Sequence, residues 1–300
     1  MVTGATGLVG KELCKKLVER KNEVIVFTRD VKKAARSLPY IKNFVEWDNK
    51  RMAEWTDELN GKDAVIHLAG ANISGKRWNK DYKKEIFDSR IISTRNLVNA
   101  IKEVSLKPSV FIVSSAVGYY GDCSNEILTE EKPAGKDFLS NLCKEWEGEA
   151  GKVEAISVRR VSLRTGIVLS RESGALKKML LPFKLFLGGP IGNGKQWFPW
   201  IHIEDLINIY LYALENPNIK GAVNAASPNP VLMKEFAKTL GKILRRPSIF
   251  PVPKLIMKIA AGEIAEYIVM SQRTSVEKIL SSGYKFKFGN LEDALRDLLL

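Results

Sequence analysis

Thr3-Gly4-Ala5-Thr6-Gly7-Leu8-Val9-Gly10 places three glycines three residues apart where an apolar start gives way to an amphipathic stretch. This is the spacing of a strand-to-helix loop that holds a dinucleotide pyrophosphate. Gly4 permits the tight turn, Gly7 lets the backbone approach the pyrophosphate, and Gly10 lets the new helix pack closely on the strand. Phosphate oxygens then meet the free N–H groups of a helix N-terminus. The next residues carry a helical pattern, with Leu8, Val9, Leu13, Leu17 and Val18 on one face and Lys11, Lys15, Lys16, Glu19 and Arg20 on the other. The β-rich run Val24-Ile25-Val26-Phe27 follows, which completes the β-α-β context of such a loop. Only Met1, Val2 and Thr3 precede Gly4, whereas a core parallel strand has about five or six residues. The expectation is therefore that strand residues are missing upstream, with Met1 an internal residue or a late start.

The 300 residues are 45% hydrophobic and 27% charged, a globular composition with length for roughly two domains and a large core. Cys14, Cys123 and Cys143 are far apart, and the only histidines are His67 and His202, so neither a disulfide framework nor a metal site is expected. That cysteine usage fits a cytoplasmic or other reducing compartment. No signal-like segment precedes the glycine loop, and no run of about 18 apolar residues exists. Even Leu255 to Met270 is broken by Lys258, Glu263 and Glu266, and no membrane partner is expected. The net charge of +13 is spread in doublets such as Lys15-Lys16, Lys177-Lys178 and Arg245-Arg246, with no nucleic-acid reading module. No specific nucleic-acid partner is expected, and the charge also favours phosphorylated cofactors.

Strand-like runs at 24–27, 44–47, 64–68 and 110–114 alternate with helical stretches at 10–20, 51–59 and 82–104. Alternation with nearly continuous apolar strands describes an α/β fold, a Rossmann doubly wound parallel sheet covered on both faces. A helix at 137–150 precedes strand-like runs at 156–158 and 164–169, and the tail is α-rich, with helices at 233–244, 255–270, 275–280 and 291–299. The expected organisation is a dinucleotide-binding domain over 1–170, to which 198–228 returns. A smaller, α-rich C-terminal substrate domain takes 171–197 and 229–300.

The end of the second strand selects the cofactor. An acid there serves the ribose hydroxyls of NAD, and an arginine serves the 2′-phosphate of NADP. The sequence reads Thr28-Arg29-Asp30, so both are present; Thr28 and Arg29 fall nearest the ribose, and this placement favours NADP(H). Leu68-Ala69-Gly70 ends the fourth strand with small residues that let the chain pass beneath a cofactor, while His67 lies inside the apolar run as a packed core histidine. Glu85 and Arg90 are five apart on the next helix and point to different sides.

These residues resemble the extended short-chain dehydrogenase/reductases, and within them the atypical subgroup of epimerase family proteins, family 39U. The matching text runs from Thr3–Gly10 through Leu68-Ala69-Gly70-Ala71-Asn72-Ile73, Arg77-Trp78, Ser89-Arg90, Trp146-Glu147, Arg164-Thr165-Gly166-Ile167-Val168-Leu169 and Leu187-Gly188-Gly189-Pro190-Ile191-Gly192. It continues through Phe198–Ile203 to Ser271-Gln272-Arg273 and Gly283-Tyr284, and so spans essentially the whole chain. The resemblance implies NADP(H) binding, with Thr28 and Arg29 at the 2′-phosphate and Leu68, Ala69, Glu85, Arg90 and Val168 as further cofactor contacts.

Most members of that superfamily use a Tyr-x-x-x-Lys pair, in which the ammonium lowers the phenol pKa so that tyrosine exchanges a proton as hydride moves. None of the eight tyrosines here has a lysine four residues on. Ser114 and Ser115, at the end of the fifth strand, and Tyr119 and Tyr120 just beyond are the candidate proton or hydrogen-bond partners. The same cluster reads equally as serines bonding backbone and tyrosines filling a cleft. Gly189–Gln196 nearly spells a Walker loop, but Gln196 stands where the magnesium-binding Ser/Thr belongs and Pro199 soon prevents a helix. That loop, with Gln196, Trp197 and Trp200, is expected to line or cover a substrate cleft, and His202 to be a structural hydrogen-bonder. The function expected is an NADP(H)-binding oxidoreductase acting on an unnamed small-molecule substrate, the alternative being a non-catalytic NADP(H) sensor or interaction protein. The sequence names no oligomeric state, and a homo-oligomer stays open.

Overall fold

Seven strands form one sheet in the computed structural model, which describes residues 1–52 and 54–300. They are β1 (Val2–Thr3), β2 (Ile25–Thr28), β3 (Asn43–Glu46), β4 (Ala64–His67), β5 (Val110–Ala116), β6 (Arg159–Thr165) and β7 (Gly221–Ala225). Their order is β7-β6-β5-β4-β1-β2-β3. Val2 pairs in parallel register with Val26 on one side and Ile66 on the other. The chain thus runs outward from β1 to β2 and β3, then crosses back to β4 and β5. That reversal is a topological switch point, and in an open α/β sheet ligands bind beyond the carboxyl ends of the strands there.

The sheet is flanked by helices α1 (Leu8–Glu19), α2 (Val31–Ser37), α3 (Lys80–Glu103) and α4 (Phe138–Gly151). Central strands are buried on both faces, with Val26, Phe27, Val65, Ile66, Ile112 and Val113 all inaccessible, which is why they read as unbroken apolar runs. The edge strand β3 is half-exposed instead.

The chain divides into two compact units. The first comprises 1–115, 142–163 and 207–223; the second comprises 116–141, 164–206 and 224–300. In the second, α5 (Gly174–Lys184), α7 (Met233–Leu244) and α10 (Leu291–Leu299) close around Phe183, Phe198, Trp200, Phe236 and Leu295. α7 buries Met233, Phe236, Ala237, Leu240 and Ile243, the i, i+3, i+4, i+7 stripe of a core-facing helix. In chain order α6 (Ile203–Glu215) follows α5, and its first turn carries Asp205. The Asp205 carboxylate accepts the backbone N–H groups of Lys287 and Phe288, both at 2.8 Å.

Four local expectations are redrawn. The helix expected over 51–59 is a 3-10 turn at Glu54–Leu59, and Ala53 lies outside the described residues. The run 156–158 is not a strand: α4 tightens into a 3-10 turn at Lys152–Ile156, Ser157 takes φ +62, and extended backbone resumes at Arg159. The run 164–169 divides, so that Arg159–Thr165 is β6 and Ile167–Leu169 pairs with Trp200–His202. The helix expected over 255–270 is two, α8 (Lys254–Ala261) and α9 (Ile264–Ile268). They are separated at Gly262, whose φ of +71 ends a helix as glycine does at little steric cost.

Candidate functional site

The loop after β1 and the loop after β4 meet at the switch point. Gly4 has φ +68, and a Cβ there would lie 2.6 Å from the Leu68 carbonyl carbon and 2.7 Å from the Ala69 nitrogen. A Cβ on Gly10 would lie 2.4 Å from the Gly4 oxygen, so this glycine is demanded by the folded-back loop itself. Gly7 differs. It is exposed, its hypothetical Cβ meets only the Gly4 oxygen at 3.3 Å, and it is the N-cap of α1 with no side-chain cap. The open face of the loop is therefore at Thr6 and Gly7, beside the half-buried Leu8 and Val9, where the first-turn N–H groups of α1 lack helical acceptors. Such a face suits an anion.

A buried chain of hydrogen bonds fixes the two loops. Thr3 Oγ1 accepts the N–H groups of Leu68 (3.2 Å) and Ala69 (3.3 Å), so its own proton goes to His67 Nδ1 at 2.7 Å. His67 Nε2–H then donates to Ser93 Oγ (3.2 Å), whose proton goes to the Ser89 carbonyl (2.6 Å). Ser89 Oγ in turn accepts the Ala71 N–H at 2.9 Å. Burial, with the Arg90 charge as a lesser cause, pushes the His67 imidazole down to about 3. His67 stacks on Phe111 and is a core histidine, as its place in the apolar run indicates.

At the end of β2 the two cofactor-selecting side chains have separate fates. Asp30 is the N-cap of α2 and accepts the Lys33 N–H at 2.8 Å, and Thr28 Oγ1 bonds the Asp30 backbone at 3.4 Å. Arg29 is exposed and makes no hydrogen bond or ion pair among the described residues. With Lys50 and Arg51 it borders an open cavity of about 670 Å³ that also touches Glu46, Asp48 and Trp55. Arg51 is paired there with Asp48 at 3.1 Å.

Gly70 packs on Arg90, since a Cβ at residue 70 would lie 2.9 Å from the guanidinium carbon. Arg90 also donates to the Ile86 carbonyl (3.0 Å) and lies 5.2 Å over the Trp146 ring. Glu85 is on the same helix but stands in solvent, paired with Lys76 at 3.4 Å. The structure thus brings Gly4 to Gly10, Leu68 to Gly70 and Arg90 together in the first unit. Val168 belongs to the second unit, in the strand paired with Trp200–His202.

The candidate hydroxyls are engaged. In the first unit Ser114 Oγ and Tyr210 Oη share a hydrogen bond of 2.7 Å, and buried Ser115 Oγ donates to Glu147 Oε1 at 2.6 Å. In the second unit Tyr120 Oη donates to Asn224 Oδ1 (2.7 Å) and accepts from Arg164 Nη1 (3.0 Å). Burial pushes this phenol up to about 12 despite the adjacent guanidinium. Arg164 lies 3.5 Å over the Tyr119 ring, whose hydroxyl makes no hydrogen bond among the described residues. Tyr210, Glu147, Arg164 and Asn224 escaped the reading of the sequence as partners. Trp146-Glu147 and Arg164 stand in the motifs that carried the family resemblance, but nothing in their spacing assigns those contacts.

The glycine-rich loop at 189–195 makes no nucleotide cradle. Gly189 is pressed on the Phe250 carbonyl, 2.1 Å from where a Cβ would sit, and buried Gln196 Nε2 donates to the Ile191 carbonyl at 2.8 Å. Trp200, expected to line a cleft, is fully buried in the second unit's core because its strand is covered by α7 side chains. Trp197 is half-buried, with Nε1 donating to Asn125 at 2.8 Å. His202 packs tilted against the Phe288 ring, with centroids 3.9 Å apart, and accepts the Glu204 N–H at 3.1 Å, a structural role.

Comparison with known proteins matches the NAD dependent epimerase/dehydratase family over residues 1–226 and a domain of unknown function, DUF1731, over 252–298. The chain is 40% identical to the chloroplastic epimerase family protein SDR39U1 homolog of Arabidopsis thaliana, covering 99% of this chain and 86% of that protein. It is 38% identical to epimerase family protein YfhF of Bacillus subtilis, covering 99% and 97%. Among solved structures it resembles human epimerase family protein SDR39U1 crystallised with NADPH, at 34% identity, a TM-score of 0.88 and coverage of 99% and 97%. On its glycine loop, sheet order and full-length relatives, the chain belongs to the NAD dependent epimerase/dehydratase family.

Proposed function

We propose that this protein binds NADP(H) at its glycine loop and acts as an atypical oxidoreductase on a small-molecule substrate without a Tyr-x-x-x-Lys dyad. The observation that carries the reading is the division of labour after β2, where Asp30 is committed to the N-terminus of α2 and Arg29 is left free at an open cavity. A free guanidinium recognises a 2′-phosphate, and a capping carboxylate is withheld from a ribose diol. The human relative crystallised with NADPH supports the same cofactor.

The residues fit the group. Gly4 and Gly10 let the loop fold tightly, and Gly7 leaves the α1 N-terminus open to a pyrophosphate. Bound NADPH supplies a hydride. The Thr3–His67–Ser93 chain holds the loops after β1 and β4 in place, and the family resemblance implies Leu68, Ala69, Glu85, Arg90 and Val168 as further cofactor contacts, Glu85 standing in solvent beside Lys76. The protonic partner is proposed among Ser114, Ser115 and Tyr119. Tyr120 enters only as a neutral donor, because its proton is held far above neutral pH.

The direct test is titration of purified protein with NADPH and NADH, followed by NADPH oxidation across carbonyl and enone substrates. A clear preference for NADPH, lost in Arg29→Asp, is expected; equal affinities would sink the specificity claim. The second reading, a non-catalytic NADP(H) sensor, is favoured by the internal hydrogen bonds of Ser114, Ser115 and Tyr120. It predicts tight cofactor binding with no turnover across the panel.

A further inference from the structure

Nine of the thirteen large apolar side chains exposed among the described residues fall in two segments of the second unit. The first is the end of α5 and its exit, where Leu181, Leu185, Phe186 and Leu187 are 54 to 61% exposed. The second is 249–259, where Ile249, Phe250, Leu255, Ile256 and Ile259 are 49 to 70% exposed. The segments adjoin: the Phe250 N–H donates to the Gly188 carbonyl at 3.1 Å, the Val252 N–H donates to Pro190 at 2.9 Å, and Arg246 lies 4.4 Å over the Phe186 ring. Phe186 is held at φ +62, a region bulky side chains avoid, with its ring half in water. On α8, Leu255, Ile256 and Ile259 stand at i, i+1 and i+4, the stripe a helix normally buries. An exposed apolar surface of this kind marks an interaction site.

The charge around it selects the partner. From Ser173 to Ile203 there is no Asp or Glu, and again none from Phe236 to Gly262, although these stretches hold ten Lys and Arg. On α5, exposed Lys177 and Lys178 precede Leu181 by four and three residues, and Leu185 continues the row, so cations and apolar side chains share one face. Lys258 and Lys242 are partly neutralised by Glu266 and Glu292; Lys177, Lys178 and Lys184 make no ion pair among the described residues. Pairing with a second copy would set these cations against each other.

We propose that this face docks on the surface of an anionic phospholipid bilayer. Phe186, Leu187 and the exposed row of α8 enter the headgroup boundary while the surrounding lysines and arginines meet lipid phosphates. Peripheral docking needs an amphipathic, cationic surface and not a spanning run, which is why the sequence carried no sign of a membrane partner. Acidic lipids add roughly 1 kcal/mol per nearby cation, so the attachment is sensitive to salt.

The test is flotation of the full chain with vesicles of phosphatidylcholine alone and with roughly 30 mol% phosphatidylglycerol, from about 0.05 to 0.5 M NaCl. Binding to the mixed vesicles is expected, weakened by salt and on pure phosphatidylcholine. The double variant Ile256→Ser with Ile259→Ser should weaken it at least about tenfold. These side chains are exposed, so an unchanged melting temperature is the control for folding. No vesicle binding, or equal binding by the double variant, overturns the proposal; the latter reduces the effect to general attraction of a basic protein. A dimer in sedimentation velocity that the same variant dissociates also overturns it and assigns the face to a second copy.

Discussion

The Asp30 carboxylate accepts the backbone N–H of Lys33 at 2.8 Å, closing the N-terminus of α2 and turning the one acid after β2 away from the neighbouring Arg29. Two adjacent residues of opposite charge therefore serve unrelated ends. Arg29→Ala is expected to weaken NADPH roughly ten- to a hundredfold, the worth of a charge-assisted hydrogen bond, and to leave NADH nearly unchanged. Asp30→Ala removes a cap worth about 1 kcal/mol and lowers the melting temperature while keeping the NADPH preference. Calorimetric titration and thermal melts on both variants check the pair.

The three loop glycines should separate by readout. Gly4→Ala and Gly10→Ala drive a methyl into backbone at 2.6 and 2.4 Å, so each destabilises the fold by about 2 kcal/mol or more. Gly7→Ala meets only a 3.3 Å contact; its melt should stay near wild type while NADPH affinity falls. Denaturant midpoints and cofactor titrations distinguish the cases.

Acid stability should carry the signature of His67. Its folded imidazole is pushed down to about 3 by burial, against 6.5 ordinarily. Between those values the unfolded chain binds the extra proton. The contribution is therefore fully present above about 6.5 and fades as pH falls toward 3, with a slope of up to about 1.4 kcal/mol per pH unit. His67→Gln should flatten that part of the stability curve in urea unfolding at a series of pH values. An unchanged slope would contradict the buried neutral imidazole.

Tyr120→Phe takes a proton donor from Asn224 and an acceptor from Arg164. A loss of about 1 to 3 kcal/mol in stability is expected. With the phenol held up at about 12, removing it should not shift the pH profile of any NADPH-dependent turnover near neutrality. A profile whose alkaline limb moved near neutrality would restore Tyr120 as a proton carrier.

Much of the first unit was legible because its signals are local. The glycine spacing, the apolar runs at β2, β4 and β5 and the switch to helical period after Gly10 are each decided by neighbours in the chain. The burial of His67 followed from its apolar run. The placement of Arg29 directly after Thr28 favoured it as the cofactor contact, but what occupies Asp30 was not legible, because it is a hydrogen bond to a residue three on, made only once α2 has formed. The engagement of Ser115 with Glu147 joins residues 32 apart, and that of Tyr120 with Asn224 joins residues 104 apart. Trp200 reads like cleft lining beside a glycine-rich loop, but the burial of its strand depends on α7, thirty residues later. The break at Gly262 was written in the sequence and outweighed by the apolar residues around it.

Asp205 holds the C-terminal segment through two backbone N–H groups, those of Lys287 and Phe288. A main-chain donor is the same whatever side chain it carries. At residue 287, replacements short of proline retain the bond, whereas replacing Asp205 releases both donors at once. The specification of this tether is thus one-sided. A single letter in the first turn of α6 governs two main-chain bonds to a segment some eighty residues away.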